Sequence, residues 1–331
     1  MSRADTSQNG FHLLADIGGT NARFAFVTPD SARLQGITRF ACADFDTLEA
    51  AIDTYLRDLE PKLDLAPIDV CLAVAAPVHG DIIKFTNNPW RFSRNGLSRT
   101  LGIPVEVLND FGAQAHALRA LQPQDVSWWQ RPQGFAGLEA PPAGPRTVIG
   151  PGTGFGASTV TVQGEVLTSE PGHISFAPVN AHELQLLQCL WQRHPRITPE
   201  DLVCGPGLAN LYWANSALTA GPDIAPEAAE IVERAAAGEA LALQTLRDFS
   251  AIMGSTCGDV ALMMGSVGGV YLSGDMLEKM GSLFDIELFL ARFQAKGAFR
   301  EWCREVPVAR LTLATPGLAG CAVYARGITS Q

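Results

Sequence analysis

What this 331-residue sequence lacks narrows its chemistry before any motif is read. It has no C-x-x-C spacing: the seven cysteines, Cys42, Cys71, Cys189, Cys204, Cys257, Cys303 and Cys321, are scattered and odd in number. That pattern fits reduced thiols in apolar surroundings rather than a disulfide frame or a zinc site. There is no excess of positive charge. A net charge of -10 leaves no field to hold a polyanion by counterion release, so nucleic acid is not an expected partner. No G-x-x-x-x-G-K-S/T occurs, which removes a Walker A loop. The opening "MSRADTSQNG" has no apolar h-region and reads as a polar tail rather than a signal peptide or an anchor. The most apolar stretch, "AIMGSTCGDVALMMGSVGGVYL", contains Asp259 and several glycines and serines, so it reads as a buried helix followed by a strand. No membrane segment is expected, and the cytoplasm is the expected compartment.

What is there is an apolar chain: 47% of its residues are hydrophobic and 18% charged, enough for a substantial core, and its length favours two lobes over one. From Phe11 to Phe26 the pattern is strand, turn, strand, and "RLQGITRFAC" alternates as a third antiparallel strand would. Helical spacing follows at "DTLEAAIDTYLRDL", with Asp46 or Thr47 as cap. "IDVCLAVAAPV" is a strand buried on both faces, and "VEVLND" is another that ends in an acid where "FGAQAHALRAL" begins a helix. Gln122 to Pro145, rich in proline, glycine, glutamine and tryptophan, reads as an irregular connection. "RTVIGPGTGFGASTVTVQGEVLTSE" then repeats the opening hairpin, which suggests one α/β unit duplicated across two lobes. Two helical stretches follow, the second expected to break near Ala237 and Gly238, and "GGVYLSG" is read as the final strand before the small-residue helix "GLAGCAVYARGI".

Two glycine turns carry the chemistry. A phosphate loop needs backbone N–H groups converging on one concavity, in conformations that glycine tolerates. Gly18, Gly19 and Thr20 suit such a turn, yet Asp16 just before it would repel a bare phosphate. The acid makes sense with a divalent cation between them, since magnesium on nucleotide phosphates recruits one or two carboxylates. Alone, an ordinary glycine hairpin is an equal reading. The second turn, "GPGTGFGA", matches G-x-G-x-x-A through Gly152, Gly154 and Ala157, but "STVTVQG" continues as a strand where a dinucleotide fingerprint requires a helix. Two glycine-threonine hairpins, one per lobe, are what a triphosphate gripped from both sides would need.

In order, "LADIGGTNARFAF", "LNDFGAQAHAL", "GPGTGFGAS", "SEPGHISFAP", "CGPGLANLY" and "GGVYLSG" resemble the motifs of bacterial ATP-dependent glucokinases of the hexokinase and actin-like superfamily, over about residues 11 to 325. The resemblance implies an α/β, two-lobed actin-like ATPase (ribonuclease H-like) fold with a ligand cleft between the lobes: residues 1–110 with 316–331 as a small domain and 111–315 as a large one. It further implies transfer of the γ-phosphoryl of ATP to the 6-hydroxyl of glucose with magnesium, and a homodimer. No cysteine-rich zinc motif follows His173, which sets the chain in the zinc-free group.

By the same resemblance Asp110 is the base that accepts the hydroxyl proton, although by composition alone a helix N-cap is the likelier role. Asn109 beside it offers the donor and acceptor that a sugar hydroxyl demands. Glu170 and His173 resemble the pair around the anomeric end of the sugar, and Glu200 a further sugar-binding glutamate, with a helix-capping acid as its other reading. In "KFTNNPWRFS", Asn87 is the polar candidate for the sugar pocket and Trp90 its apolar wall. Asp16, Gly18, Gly19, Thr20, Asn21, Gly152, Thr153, Gly154 and Gly274 take the nucleotide, with Asp16 reaching magnesium through water. Two departures from the family pattern bear on selectivity: Asp275 stands where most members have a second glycine, and Pro171 separates Glu170 from Gly172. The alternatives are a kinase for another hexose or an amino sugar, and a sugar-binding regulator without turnover.

Overall fold

A computed structural model describes residues 10–59, 63–85, 88–139, 142–219 and 225–329. The chain divides into two compact units, one of residues up to Leu121 and from Leu313 onward, the other Gln122–Thr312. The division thus falls eleven residues later than the sequence reading had it, and the helix that starts at Asp110 belongs with the first unit.

The first unit opens with β1 (Gly10–Ile17), β2 (Asn21–Val27), β3 (Gln35–Ala41), α1 (Leu48–Leu59), β4 (Ala66–Val74), the short hairpin β5 (Ile82–Lys84) and β6 (Arg91–Ser93), α2 (Arg94–Leu101), β7 (Val105–Asn109) and α3 (Asp110–Ala117). Its sheet runs β3-β2-β1-β4-β7, the first two pairings antiparallel and the last two parallel. Of the two expected caps for α1, Thr47 takes the role, its Oγ1 accepting from the Ala50 N–H at 3.2 Å. β1 is buried on both faces, and its alternation decides what each face meets. Leu13, Ala15 and Ile17 join a core with Phe24, Ile52 and Tyr55, whereas Leu14 joins a smaller one with Cys71, Ala73 and Ala113. Asp16, two residues on from Leu14, points to that second face.

The second unit holds β8 (Val126–Gln130), β9 (Arg146–Pro151), β10 (Phe155–Val160), β11 (Val166–Ser169), α4 (Ala181–Leu190), α5 (Gly205–Thr219), α6 (Ala228–Ala236), α7 (Ala240–Met264), β12 (Gly269–Leu272), α8 (Asp275–Met280), α9 (Ile286–Gln294), α10 (Arg300–Arg304) and β13 (Val308–Leu311); α11 (Pro316–Thr329) then returns to the first unit. Its sheet runs β11-β10-β9-β12-β13-β8. The first five strands repeat the pattern of the first unit, two antiparallel pairings followed by two parallel ones, as expected of a duplicated unit.

Two strands correct the sequence reading. β8 lies in the segment read as irregular, where Trp128 and Trp129 supply β-prone aromatics in a run of only five residues, and it pairs with β13, which was also missed after "GGVYLSG". The break in the long helical stretch falls where expected, at Gly238, whose φ of 88° ends α6 before α7 begins. Among the described residues no helix is long and apolar enough to cross a membrane. All seven cysteines are free thiols, six of them buried. Polar ties fix the helical layer of this unit. The buried Asp248 carboxylate receives Asn215 Nδ2 at 2.8 Å and lies 3.0 Å from His182 Nε2, and Arg292 pairs with Glu183 at 2.6 Å.

Candidate active site

In the first unit, the C-terminal ends of three parallel strands bring two of the candidate acids to one edge of the sheet. Ile17 of β1 pairs in register with Val74 of β4, which pairs with Asn109 of β7. Asp16 and Asp110 therefore stand at one edge of the sheet, on strands two spacings apart, or about 10 Å. Asn109, not Asp110, is the N-cap of α3: its Oδ1 accepts from the Gly112 N–H at 3.1 Å. Asp110 is thereby freed of the capping task and sits in the first turn, with Oδ1 accepting from the N–H of Phe111 at 2.9 Å. The Asn109 amide nitrogen makes no hydrogen bond among the described residues.

The turn after β1 is closed by the Gly18 N–H donating to the Asn21 carbonyl at 2.9 Å. Asn21 Nδ2 donates to Thr20 Oγ1 at 2.8 Å, while Arg39 Nε donates to Asn21 Oδ1 at 2.9 Å, so Asn21 orients the threonine hydroxyl and is itself held. Thr20 is exposed, and Gly18 and Gly19 half-buried. Asn88, a residue that the sequence reading passed over for its neighbour, braces this turn from below: its Nδ2 reaches the Gly18 carbonyl at 3.2 Å and its Oδ1 takes the Trp90 N–H at 2.9 Å. Asn87 itself lies outside the described residues. Trp90 is 1% exposed and bonded through Nε1 to the Phe45 carbonyl, so it is core and not the wall of a pocket.

In the second unit one glutamate gathers three segments. Glu200 Oε2 accepts from the Phe155 N–H at 2.8 Å, beside the Gly152–Gly154 turn, and the Glu200 N–H donates to the Gly172 carbonyl at 3.0 Å. The Gly205 N–H at the start of α5 donates to the Gly152 carbonyl at 2.9 Å. The turn 152–154, the Glu170–His173 turn and the start of α5 are thus one structure. Gly152 and Thr153 are exposed, as are Glu170 and His173, with Arg196 donating to the His173 carbonyl at 2.8 Å. Pro171 opens a short 3-10 turn, a position that asks for no N–H, so it fits the backbone without a lost bond. Gly274, at φ 113°, follows β12, and a Cβ there would lie 2.5 Å from the Pro151 carbonyl.

The glycines of the two turns are not needed for left-handed backbone, which corrects the sequence argument. Gly18, Gly152 and Gly154 do not have positive φ. Gly154 is required by a close approach: a Cβ there would stand 2.5 Å from Glu200 Oε2. A cavity lined by Phe135, Val267, Trp302 and Val306 precedes β12 and β13 and so lies at the opposite end of this sheet from these turns.

Electrostatics single out Asp16. Burial pushes its carboxyl above the usual carboxylate range, and Arg23, 3.9 Å away, pulls only partly against that. Among the described residues no three His, Cys, Asp or Glu side chains are gathered to cage an ion. One under-compensated carboxylate fits a hard cation that keeps its waters and is otherwise held by nucleotide phosphates, which is how magnesium binds.

Comparison with known proteins decides the family. The chain matches the family described as Glucokinase over residues 13–328. It is 38% identical to the glucokinase of Chromohalobacter salexigens, over 93% of this chain and 95% of that protein. The chain belongs to the glucokinase family. The crystal structure of a glucokinase from an Antarctic psychrotroph, 36% identical, superposes with a TM-score of 0.85 and covers 96% of this chain and 99% of its own. A ROK family glucokinase from Streptomyces griseus, in complex with glucose and AMPPNP, shares the fold at 20% identity, with a TM-score of 0.64 and coverage of 96% and 100%. Each unit of this glucokinase-family chain accordingly carries the α/β core of the actin-like fold.

Proposed function

We propose that this member of the glucokinase family transfers the γ-phosphoryl group of ATP to the 6-hydroxyl of glucose, giving glucose 6-phosphate and ADP. One observation carries the reading: Asp16 and Asp110 stand at the C-terminal ends of the parallel strands β1 and β7, two spacings apart in one sheet, the first acid under-compensated and the second in the opening turn of a helix. Phosphoryl transfer asks the protein mainly for positioning, charge neutralisation and a proton acceptor. Asp110 accepts the proton of the 6-hydroxyl as its oxygen bonds to phosphorus, and ADP leaves with the bridging oxygen. Asn109, its Oδ1 engaged as a cap, offers its amide donor to a neighbouring hydroxyl. Glu170, His173 and Glu200 hold sugar hydroxyls, and Asn87 is assigned to the same pocket by resemblance alone. Gly18, Gly19, Thr20, Asn21, Gly152, Thr153, Gly154 and Gly274 form the turns that hold the nucleotide, through the Thr20 hydroxyl and those backbone N–H groups that do not, like Gly18 and Gly152, close their own turn. Asp16 holds magnesium through water, and the ion when bound neutralises charge on the phosphates.

Seven free cysteines support a reducing compartment, the cytoplasm, and the family likeness supports a homodimer. A coupled spectrophotometric assay over a panel of hexoses and amino sugars, with ATP and magnesium, tests the reading. Glucose is expected to give the highest kcat/KM. Preference for another sugar would move the chain to the neighbouring specificity, and sugar binding by calorimetry without product would identify a regulator.

A further inference from the structure

α11 follows the second unit in the chain yet packs on the first, and it touches Asp16 and the helix that begins at Asp110. Its buried residues Leu318, Cys321, Ala322 and Ala325 share one small core with Leu14, Cys71 and Ala113. This is the sheet face to which Asp16 points. At Gly317, in the first turn of α11, an added Cβ would lie 2.7 Å from Asp16 Cγ and 2.9 and 3.0 Å from its two oxygens. Three residues on and on the same helix face, a Cβ at Gly320 would lie 1.6 Å from the carbonyl oxygen of Ala113, in the helix whose first residue is Asp110. Neither glycine has positive φ, so neither serves backbone freedom. Each is the poorest helix former short of proline, inside a 14-residue helix. Close approach is what the two have in common.

We propose that Gly317 and Gly320 are positioning residues, through which α11 acts as a strut that sets the Asp16 carboxylate and the helix bearing Asp110 in fixed relation. The proposal rests on the roles assigned above to those two acids. Backbone that contacts a side chain directly leaves no slack, and shifts of about 1 Å at a reacting group change rates about a hundredfold. Gly317 governs the metal side of the reaction through Asp16; Gly320 governs the base side through α3.

The test is a double-mutant cycle read first by thermal denaturation without metal or nucleotide, using Gly317→Ala, Asp16→Ala and the pair. Gly317→Ala is expected to lower Tm in the wild-type background and to leave it unchanged or raise it in the Asp16→Ala background. Gly327→Ala, on the same helix where an added Cβ meets nothing within 4 Å, is expected to lower Tm in neither. In turnover, Gly317→Ala is expected to raise the half-saturating magnesium concentration at least tenfold with the KM for sugar within twofold. Gly320→Ala is expected to lower kcat at least tenfold with the magnesium dependence unchanged. Equal Tm losses from Gly317→Ala in both backgrounds, or a magnesium dependence like that of wild type in folded Gly317→Ala, would overturn the proposal. Normal turnover in Asp16→Ala would instead overturn the role of Asp16 while leaving the measured coupling in place.

Discussion

The two units build their turns on the same strand pattern and treat acid in opposite ways. In the first, Asp16 lies inside β1 itself, is pressed against the start of α11, and has one arginine 3.9 Å away as partial offset. In the second, the acid at the turn comes from a distant segment, and Glu200 is satisfied by the Phe155 N–H at 2.8 Å. Glu200 commits one carboxylate oxygen as a brace and keeps the other for the sugar contact proposed above, whereas Asp16 is left short of partners, which suits the proposed cation, so two otherwise matching turns use their acids differently.

The largest effect expected at either turn or beside it is at Asp110. Asp110→Ala should lower kcat by about 10² to 10⁴, the usual contribution of a general base, with sugar affinity by calorimetry changed only modestly. Near-normal turnover in that variant would remove Asp110 from the base role.

Asp16→Asn sharpens the contrast between the turns, because it should harm activity and help the fold. Turnover is expected to fall at least tenfold and to respond weakly to added magnesium. The stability effect follows from the direction of the pKa shift. A folded pKa raised above the unfolded one means that the native state holds the proton to higher pH, so this group favours folding at low pH and loses that contribution as pH rises through the raised value. At pH 7 without magnesium the asparagine variant should therefore show the higher Tm, and its stability should fall less steeply with rising pH. A lower Tm at pH 7 would contradict the burial argument.

At the second turn, Gly154→Ala drives a Cβ into Glu200 Oε2 and takes the acceptor from the Phe155 N–H. Leaving a donor without its partner costs about 1–3 kcal/mol, to be read by urea denaturation, and the KM for ATP should rise. Glu200→Gln, which keeps an acceptor oxygen, should lose less stability than Glu200→Ala. Equal losses would mean that the oxygen is not what holds the turn.

The smallest effect at neutral pH concerns His116, packed edge-on against Tyr324 of α11 with ring centroids 5.1 Å apart. Burial, with a smaller contribution from Arg119, lowers its pKa to about 4. A depressed folded pKa gives stability that is present above the unfolded value and is lost as pH falls toward the folded one. His116→Phe should leave Tm at pH 7 nearly unchanged and flatten its decline between about pH 6.5 and 4.

Much of this molecule was legible in the sequence because its signals are local. The Gly238 break, the cap of α1 and the acid at the end of "VEVLND" each need only neighbours to be read. Duplication was visible for the same reason, since each hairpin is contiguous. What escaped depends on partners far along the chain. β8 is a strand because β13 lies beside it, and five residues with two tryptophans carry too little periodicity to announce that. Gly154 resembles a flexible turn glycine until Glu200 is seen 46 positions later. Asn88 was passed over and Trp90 was given a place in the pocket because burial, unlike residue type, cannot be read from a short motif. Gly317 and Gly320 gave a signal in the run of small residues at "GLAG", but only the surface packed against them gives it meaning.

The order of segments along the chain carries a further consequence. Gln122–Thr312 is contiguous and can complete its sheet while translation continues, whereas the first unit must wait for α11 to emerge. Until then Leu14, Cys71 and Ala73 lack their cover, and Asp16 has nothing pressed against it. A nascent or prematurely terminated polypeptide without α11 would then expose an unfinished apolar sheet face to chaperones and proteases, so that competence for catalysis arrives only once α11 has been synthesised.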